Sequence, residues 1–244
     1  MNSESNRNFF SFQIRILLLF VLFVPLLGCI SEGIPEGVPR NAKYDRKRNL
    51  YNVIQDSVAY SYFKDGKLFE RCPVNKEGKY HGFFESFSRK DGRRISWGNF
   101  KNGQRDGEWT WTFEDGTPYI VQSFAYGKKK AFWLPAESWG NEHGEYKRFF
   151  YNGKLEEKGN YDSGLKDGSW IKYHPNGKLE YRGQYLDGKK TGGWEYYYPS
   201  GIQEAMEEFD KSGNLVVRLT YYPNGDLWCK VVGKNSAICK DPPG

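Results

Sequence analysis

The sequence predicts an all-β chain, an elongated antiparallel sheet built from tandem hairpins of 24 residues. Three observations lead there. The segment opening at Gly144, with Tyr146, Phe149, Gly153, Leu155, Gly159, Tyr161 and Gly164, is followed at Gly168 by one carrying Trp170, Tyr173, Gly177, Leu179, Gly183, Tyr185 and Gly188 in the matching places. A period of this size marks a solenoid, propeller or stacked-hairpin array. Hydrophobic residues make up only 38% of the 244 residues and mean hydropathy is −0.78, yet aromatics reach 18%, so the core must be built from Trp, Tyr and Phe. Glycine, with 28 residues, recurs too often for long helices, since each interior Gly costs about 1 kcal/mol relative to Ala.

At the N-terminus, Arg7 and Arg15 precede an apolar run from Ile16 to Leu27. The run is too short to span a bilayer and suits the core of a signal peptide, so residues 1–28 read as an export signal. It ends in Leu26, Leu27, Gly28 and Cys29, which resembles the lipobox of bacterial lipoproteins, although Leu27 stands where a smaller residue is usual. The resemblance implies cleavage before Cys29 and lipidation of its thiol by an acyl chain such as palmitate, hence attachment to a membrane. Ile30 follows rather than an aspartate, which by the same resemblance favours the outer membrane of a bacterial cell envelope. The bland alternative is a secretory signal cut elsewhere, with Cys29 an ordinary structural cysteine. Residues 29–48, rich in Gly and Pro and ending in Arg46, Lys47 and Arg48, read as a flexible tether.

The glycine closing each hairpin turn recurs at Gly66, Gly92, Gly116, Gly153, Gly177, Gly201 and Gly225, at intervals of 26, 24, 37, 24, 24 and 24. The long interval is one period plus an insertion at 128–140. The array therefore covers 49–233, and 234–244 form a C-terminal cap or tail. Within a unit, Leu179, Tyr181, Gly183 and Tyr185 alternate with Lys178, Glu180, Arg182 and Gln184, the period-2 pattern of a strand with one buried and one wet face. Trp170 to Tyr173 is its partner strand, and His174, Pro175, Asn176 and Gly177 supply the turn. Gly98, Gly159 and Gly183 in the inward row leave space for a large ring, such as Trp170 or Trp194, over the neighbouring backbone. The repeat aromatics Trp109, Tyr146, Tyr161, Trp170, Tyr185 and Trp194 thus make the core, and each unit is stable only against its neighbours.

The pattern Gly-x-Trp-x-x-Tyr, then Pro-Asn-Gly-Lys-Leu, then Gly-x-Tyr-x-x-Gly resembles the MORN repeat in its bacterial variant form. The match is closest from Gly144 to Gly201, good from Gly82 to Gly127 and weaker at both ends. The resemblance implies a β ribbon used as a scaffold, a protein-interaction surface or a membrane-associated module, and some bacterial variant-repeat proteins carry an antitoxin label. The unit around Gly201 departs from the pattern. Glu207 stands where Gly belongs and residues 204–208 read as helix-like, so irregular pairing is expected there.

The remaining residues point away from catalysis. His81 and His143 each precede a repeat Gly, where Asp106, Asp167 and Thr191 stand in other units, and so read as turn residues. There is no His pair at metal spacing, no Gly-rich phosphate loop and no Cys-x-x-Cys, so neither enzyme activity nor a metal or cofactor is expected. A net charge of +6, with Lys and Glu interspersed, is a solvated surface and implies no nucleic acid partner. Cys229 and Cys239 flank a turn and suit a disulfide, whereas Cys72, in the first unit, is expected reduced and packed inside. In the insertion, Lys128, Lys129 and Lys130 beside Phe132, Trp133 and Trp139 suit contact with a partner or a membrane, or else a loop whose aromatics fold back over the sheet. The function predicted is a non-enzymatic, lipid-anchored envelope protein whose array is a scaffold or interaction surface for a protein partner. The alternatives are a glycan- or peptidoglycan-binding module with Trp109, Trp170 and Trp194 as its stacking platform, and an antitoxin-like inhibitor.

Overall fold

The computed structural model describes residues 33–126, 142–233 and 236–240, and these contain seventeen strands and no helix. The strands are β1 (Lys43–Asp45), β2 (Leu50–Gln55), β3 (Val58–Tyr62), β4 (Leu68–Pro73), β5 (Gly82–Phe87), β6 (Arg94–Lys101), β7 (Gln104–Thr112), β8 (Pro118–Phe124) and β9 (Glu142–Phe149). They continue with β10 (Leu155–Asp162), β11 (Leu165–Tyr173), β12 (Leu179–Leu186), β13 (Lys189–Tyr197), β14 (Gln203–Phe209), β15 (Leu215–Tyr221), β16 (Leu227–Val232) and β17 (Ser236–Cys239). Each pairs antiparallel with the next in sequence. The result is a single open sheet with β1 and β17 at its edges, the all-β array that the repeat predicts.

The turns follow from their residues. Between β11 and β12 the His174 amide donates to the Lys178 carbonyl at 2.8 Å and the Gly177 amide to the His174 carbonyl at 2.8 Å, while Asn176 Oδ1 accepts the Lys178 amide at 3.0 Å. The turn between β9 and β10 repeats the scheme through Phe150, Asn152, Gly153 and Lys154.

Among the described residues no second sheet covers the apolar face of this single layer, and three indoles solve that problem in one way. Trp109, Trp170 and Trp194 are at most 1% exposed. Each lies flat on a glycine of the preceding strand: a Cβ added to Gly98, Gly159 or Gly183 would fall 2.4, 2.2 and 2.2 Å, respectively, from the ring of Trp109, Trp170 or Trp194. Each indole then donates its N–H to the carbonyl just after that glycine, Asn99 at 2.9 Å, Asn160 at 3.2 Å and Gln184 at 3.1 Å. The strand must bulge to bring the ring across. Register shifts at Trp97/Asn99, Lys158/Asn160 and Arg182/Gln184 provide the bulge, and it begins at Gly107, Gly168 and Gly192, whose φ values of 74°, 70° and 61° are the left-handed region that only Gly enters without cost. The Gly-x-Trp motif is thus a bulge followed by the ring it delivers.

Edge-on rings close the sides of this lock. Phe100, Tyr161 and Tyr185 meet Trp109, Trp170 and Trp194 at interplanar angles of 79°, 88° and 82°, the T-shaped geometry that aromatic quadrupoles favour. Where the covering side chain is not an indole, the position facing it on the preceding strand is not glycine. Gln122 stands opposite Tyr146 and Glu207 opposite Arg218, and Cys72 packs in one cluster with Phe84.

Two expectations are corrected. Residues 204–208, expected to be helix-like and irregularly paired, lie within β14 (Gln203–Phe209), in register between Trp194↔Glu207 on one side and Glu207↔Arg218 on the other. Its pattern is period 2, with Ala205 and Glu207 at 1% and 9% exposure and Met206 between them at 39%. Two flanking strands supply hydrogen bonds on both edges, which outweighs a weak local helical preference. The flexible tether expected over 29–48 is structured in its described part. Val38 and Ala42 donate amide hydrogen bonds to the Pro35 and Pro39 carbonyls at 3.1 and 2.9 Å, β1 pairs with β2, and Val38 and Ala42 bury themselves against Tyr51 and Val53. The prolines there set turns that fold the segment onto the first hairpin.

Candidate functional site

On the indole face, three carboxylates among the described residues are buried: Glu70, Glu157 and Glu207, at 6%, 5% and 9% exposure. A buried carboxylate needs partners for its lone pairs and its charge, and each of these has a phenol and a cation. Glu70 accepts from Arg48 Nη2 at 2.7 Å, Ser61 Oγ at 3.1 Å and Tyr80 Oη at 3.1 Å. Glu157 accepts from Tyr181 Oη and Lys166 Nζ, with Arg148 Nη2 at 3.3 Å. Glu207 accepts from Tyr196 Oη at 2.7 Å and Lys190 Nζ at 3.1 Å, with Arg218 Nη1 at 3.3 Å. Burial, reinforced by these carboxylates, holds the Tyr181 and Tyr196 hydroxyls far above the ordinary phenol range and Tyr80 at about 12. These phenols stay neutral donors at neutral pH.

Cations roof the indoles. Arg105 lies 4.6 Å from the Trp109 centroid, Lys166 3.6 Å from Trp170 and Lys190 4.6 Å from Trp194; each stands four residues before its indole. Burial lowers the basicity of Lys166 and brings Arg105 down to about 10, so Arg105 remains charged at neutral pH, while the aliphatic stems of both seal the rings from water.

The pattern breaks at β8–β9. The place of the roofing cation holds Glu142, that of the indole holds Tyr146, and that of the glycine holds Gln122. A cavity of about 630 Å³ opens there, walled by Ile95, Trp111, Tyr119, Ile120, Phe124, Tyr146 and Tyr161 and carrying Ser96, Arg105, Thr112, Gln122 and Glu142 as its polar groups. This is the size of a small-ligand or side-chain site, mostly apolar with a few converging polar groups.

The other residues singled out in the sequence separate into three sets. Trp109, Trp170 and Trp194 are sealed beneath cations and edge-on rings, so they cannot serve as the exposed glycan-stacking platform considered above; Tyr146, Tyr161 and Tyr185 flank them. Cys229 and Cys239 stand opposite each other across β16–β17 with their sulfurs joined and Cα atoms 4.0 Å apart. Cys72 is fully buried and reduced, its thiol pushed up to about 12 by desolvation. The third set, Cys29 and the insertion residues Lys128, Lys129, Lys130, Phe132, Trp133 and Trp139, lies outside the described residues. The histidines hold connections together: His81 Nδ1 lies 3.1 Å from Asn102 Oδ1, His143 Nδ1 2.9 Å from Asp162 Oδ1, and His174 Nε2 2.7 Å from the Tyr197 carbonyl. Sequence reasoning missed the roofing cations and the buried carboxylates. The signal was present in a cation four residues before Trp109, Trp170 and Trp194 and in the inward-row positions of Glu157 and Glu207, but carboxylates were read as solvated side chains.

Tandem hairpins in which each strand pairs with the one before define a repeat protein of nearest-neighbour design. The repeats themselves are of a known kind: the model of the MORN repeat variant family matches residues 142–163 and 166–187, the hairpins of β9–β10 and β11–β12. Such repeats are consistent with a repeat-based interaction scaffold. Among solved structures the chain is similar to one in "Crystal Structure of TcdB2-TccC3-TEV", with 14% sequence identity and a TM-score of 0.21, over 71% of this chain and 12% of that one. No curated protein matches the sequence.

Proposed function

We propose that this chain is a non-enzymatic protein of a bacterial envelope, attached to a membrane, with the outer membrane favoured, through a lipid on Cys29, and that its repeat array is a scaffold for a protein partner. The observation that supports the scaffold reading is the single-layer sheet itself. Its titratable groups on the indole face are mostly consumed in holding units to one another, and among the described residues no second layer covers either face. On the opposite face, Met206, Trp228, Val232 and Ile238 stay 39%, 44%, 47% and 76% exposed toward the β17 edge, apolar surface of the kind that interfaces use. Lipidation is tested by metabolic labelling with a palmitate analogue. The wild-type chain should carry label and sediment with membranes, and Cys29→Ser should lose both; equal labelling of the variant, or none in the wild type, overturns the anchor. The scaffold reading is tested by photo-crosslinking in cells from Met206 and Trp228, which should give one discrete protein adduct and gives none if the reading is wrong.

A further inference from the structure

The array states a recognition rule in full twice and departs from it at the β8–β9 joint. At Trp170 and Trp194 the rule has three parts: an aromatic ring, a lysine ammonium over it at 3.6 and 4.6 Å, and a carboxylate binding that ammonium, Glu157 at 3.3 Å and Glu207 at 3.1 Å. Trp109 has its ring and its cation, Arg105. One period before Lys166 and two before Lys190 stands Glu142. At that joint the ring, Tyr146, and a carboxylate are both present, the array's own cation is replaced by the carboxylate, and the cavity of about 630 Å³ opens beside them. Glu142 Oε2 is buried and accepts no hydrogen bond from any described residue. Arg105 lines the same cavity, interacts electrostatically with Glu142 and is spread over Trp109, Trp111 and Phe124 at 4.6, 5.1 and 5.4 Å.

We propose that the cavity at the β8–β9 joint is a binding site for an aliphatic cation, a lysine or arginine side chain offered by the partner protein. Resting on the scaffold reading, this specifies the chemistry the partner brings. The stem would lie along Ile120 and the faces of Trp111 and Tyr146, as the stems of Lys166 and Lys190 lie along their own rings. The ammonium or guanidinium would reach Glu142 in the place where the neighbouring units carry a cation of their own. Aromatic faces attract cations through the ring quadrupole, and a buried carboxylate with a spare lone pair adds a charge-assisted hydrogen bond. A neutral side chain of the same length would leave Oε2 unsatisfied, which is the basis for discrimination.

The test uses the full mature chain and two small probes, Nα-acetyl-lysine methylamide and its neutral counterpart Nα-acetyl-norleucine methylamide, titrated calorimetrically and by tryptophan emission. The lysine probe should bind saturably and the norleucine probe at least tenfold more weakly. Glu142→Gln should weaken the lysine probe at least tenfold with an unchanged circular dichroism spectrum. Glu142→Lys, which copies the arrangement at Lys166 and Lys190 and so suits the fold, should abolish binding by filling the site from within. Equal binding of the two probes, no binding of either, or unaltered binding in Glu142→Lys overturns the proposal. It is also overturned if the lysine probe binds only after Lys128, Lys129 and Lys130 are all changed to Ala, because the chain then supplies the cation itself. Failure of the probes leaves the crosslinking result standing, so the two readings fail separately.

Discussion

The seating of Trp194 on Gly183 predicts a large effect from the smallest substitution available, Gly183→Ala. The added Cβ would lie 2.2, 2.3 and 2.6 Å from three indole atoms, whereas carbon atoms in contact sit about 3.5–4.0 Å apart. The ring must therefore retreat by about 1 Å or more. Trp194 is 1% exposed, donates to the Gln184 carbonyl at 3.1 Å and lies beneath Lys190, so retreat breaks one hydrogen bond and loosens the roof. Overpacking costs about 1–3 kcal/mol and the lost hydrogen bond about 1 kcal/mol, which sets the expected loss at about 2–4 kcal/mol. Gly183 does not occupy the left-handed region, so the cost is the clash and not the backbone. Gly193→Ala is the control: there the Cβ would meet only Glu208 Oε2 at 3.4 Å, and the change should be neutral or gain up to about 1 kcal/mol through the unfolded state. Urea unfolding, followed by circular dichroism and tryptophan emission, should be measured for Gly183→Ala, Trp194→Phe and the double variant. A smaller ring relieves the clash, so the double should be less destabilised than the sum by about 1–3 kcal/mol. A Gly183→Ala chain within about 0.5 kcal/mol of wild type, or strict additivity, refutes the reasoning.

Alkaline pH should unfold the sheet cooperatively. Burial holds the hydroxyls of Tyr80, Tyr146, Tyr161, Tyr181 and Tyr196 above the ordinary phenol range, the first two up to about 12. Unfolded phenols ionise near pH 10, so the native state binds more protons between about 10 and 12 and loses stability as pH rises through that window. Arg105, brought down to about 10 by burial, and Lys166, also lowered by burial, pull the other way as two groups against these five. Phenolate absorbance should appear together with loss of the β signal; independent ionisation near pH 10 with the sheet intact contradicts this. Tyr181→Phe, which removes a donor from buried Glu157, should cost about 1–2 kcal/mol in urea unfolding. Tyr197→Phe, whose hydroxyl serves the partly exposed Glu195, should cost under about 1 kcal/mol. Reducing Cys229–Cys239 removes a constraint of about 3 kcal/mol from the last hairpin alone, so hydrogen exchange should accelerate over β16 and β17 and stay unchanged over β11–β13.

The architecture was legible because turn chemistry, period and alternation all agree. The turn at His174–Gly177 and the inward row Leu179, Tyr181, Gly183 and Tyr185 can be read from one strand at a time. What crosses strands was less legible. The space over Gly159 is visible in sequence as a missing side chain, but the bulge at Gly168 that delivers Trp170 to it depends on a register shift between two strands. Alternation places Glu157 and Glu207 on the inward row, yet their acceptability there depends on Tyr181 and Tyr196 from other strands. The helical look of 204–208 failed for the same reason, since pairing with β13 and β15 outweighs local preference. The cavity was the least legible feature, because it is defined by three departures at once, Gln122, Glu142 and Tyr146, each of which is an unremarked polar or aromatic residue when read alone.

The equivalence of the Gly159–Trp170 and Gly183–Trp194 seats means that the number of hairpins is not set by any residue. Excising 168–191 would join Asp167 to Gly192 and bring Trp194 onto Gly159 with the same bulge, the same carbonyl acceptor position and a lysine still four residues ahead of the ring. Duplicating the same stretch would lengthen the ribbon by one hairpin and leave every indole seated. The length of the protein is therefore free to drift by whole units while its joints stay unchanged, and the span it covers can be matched to what it holds without redesigning a core.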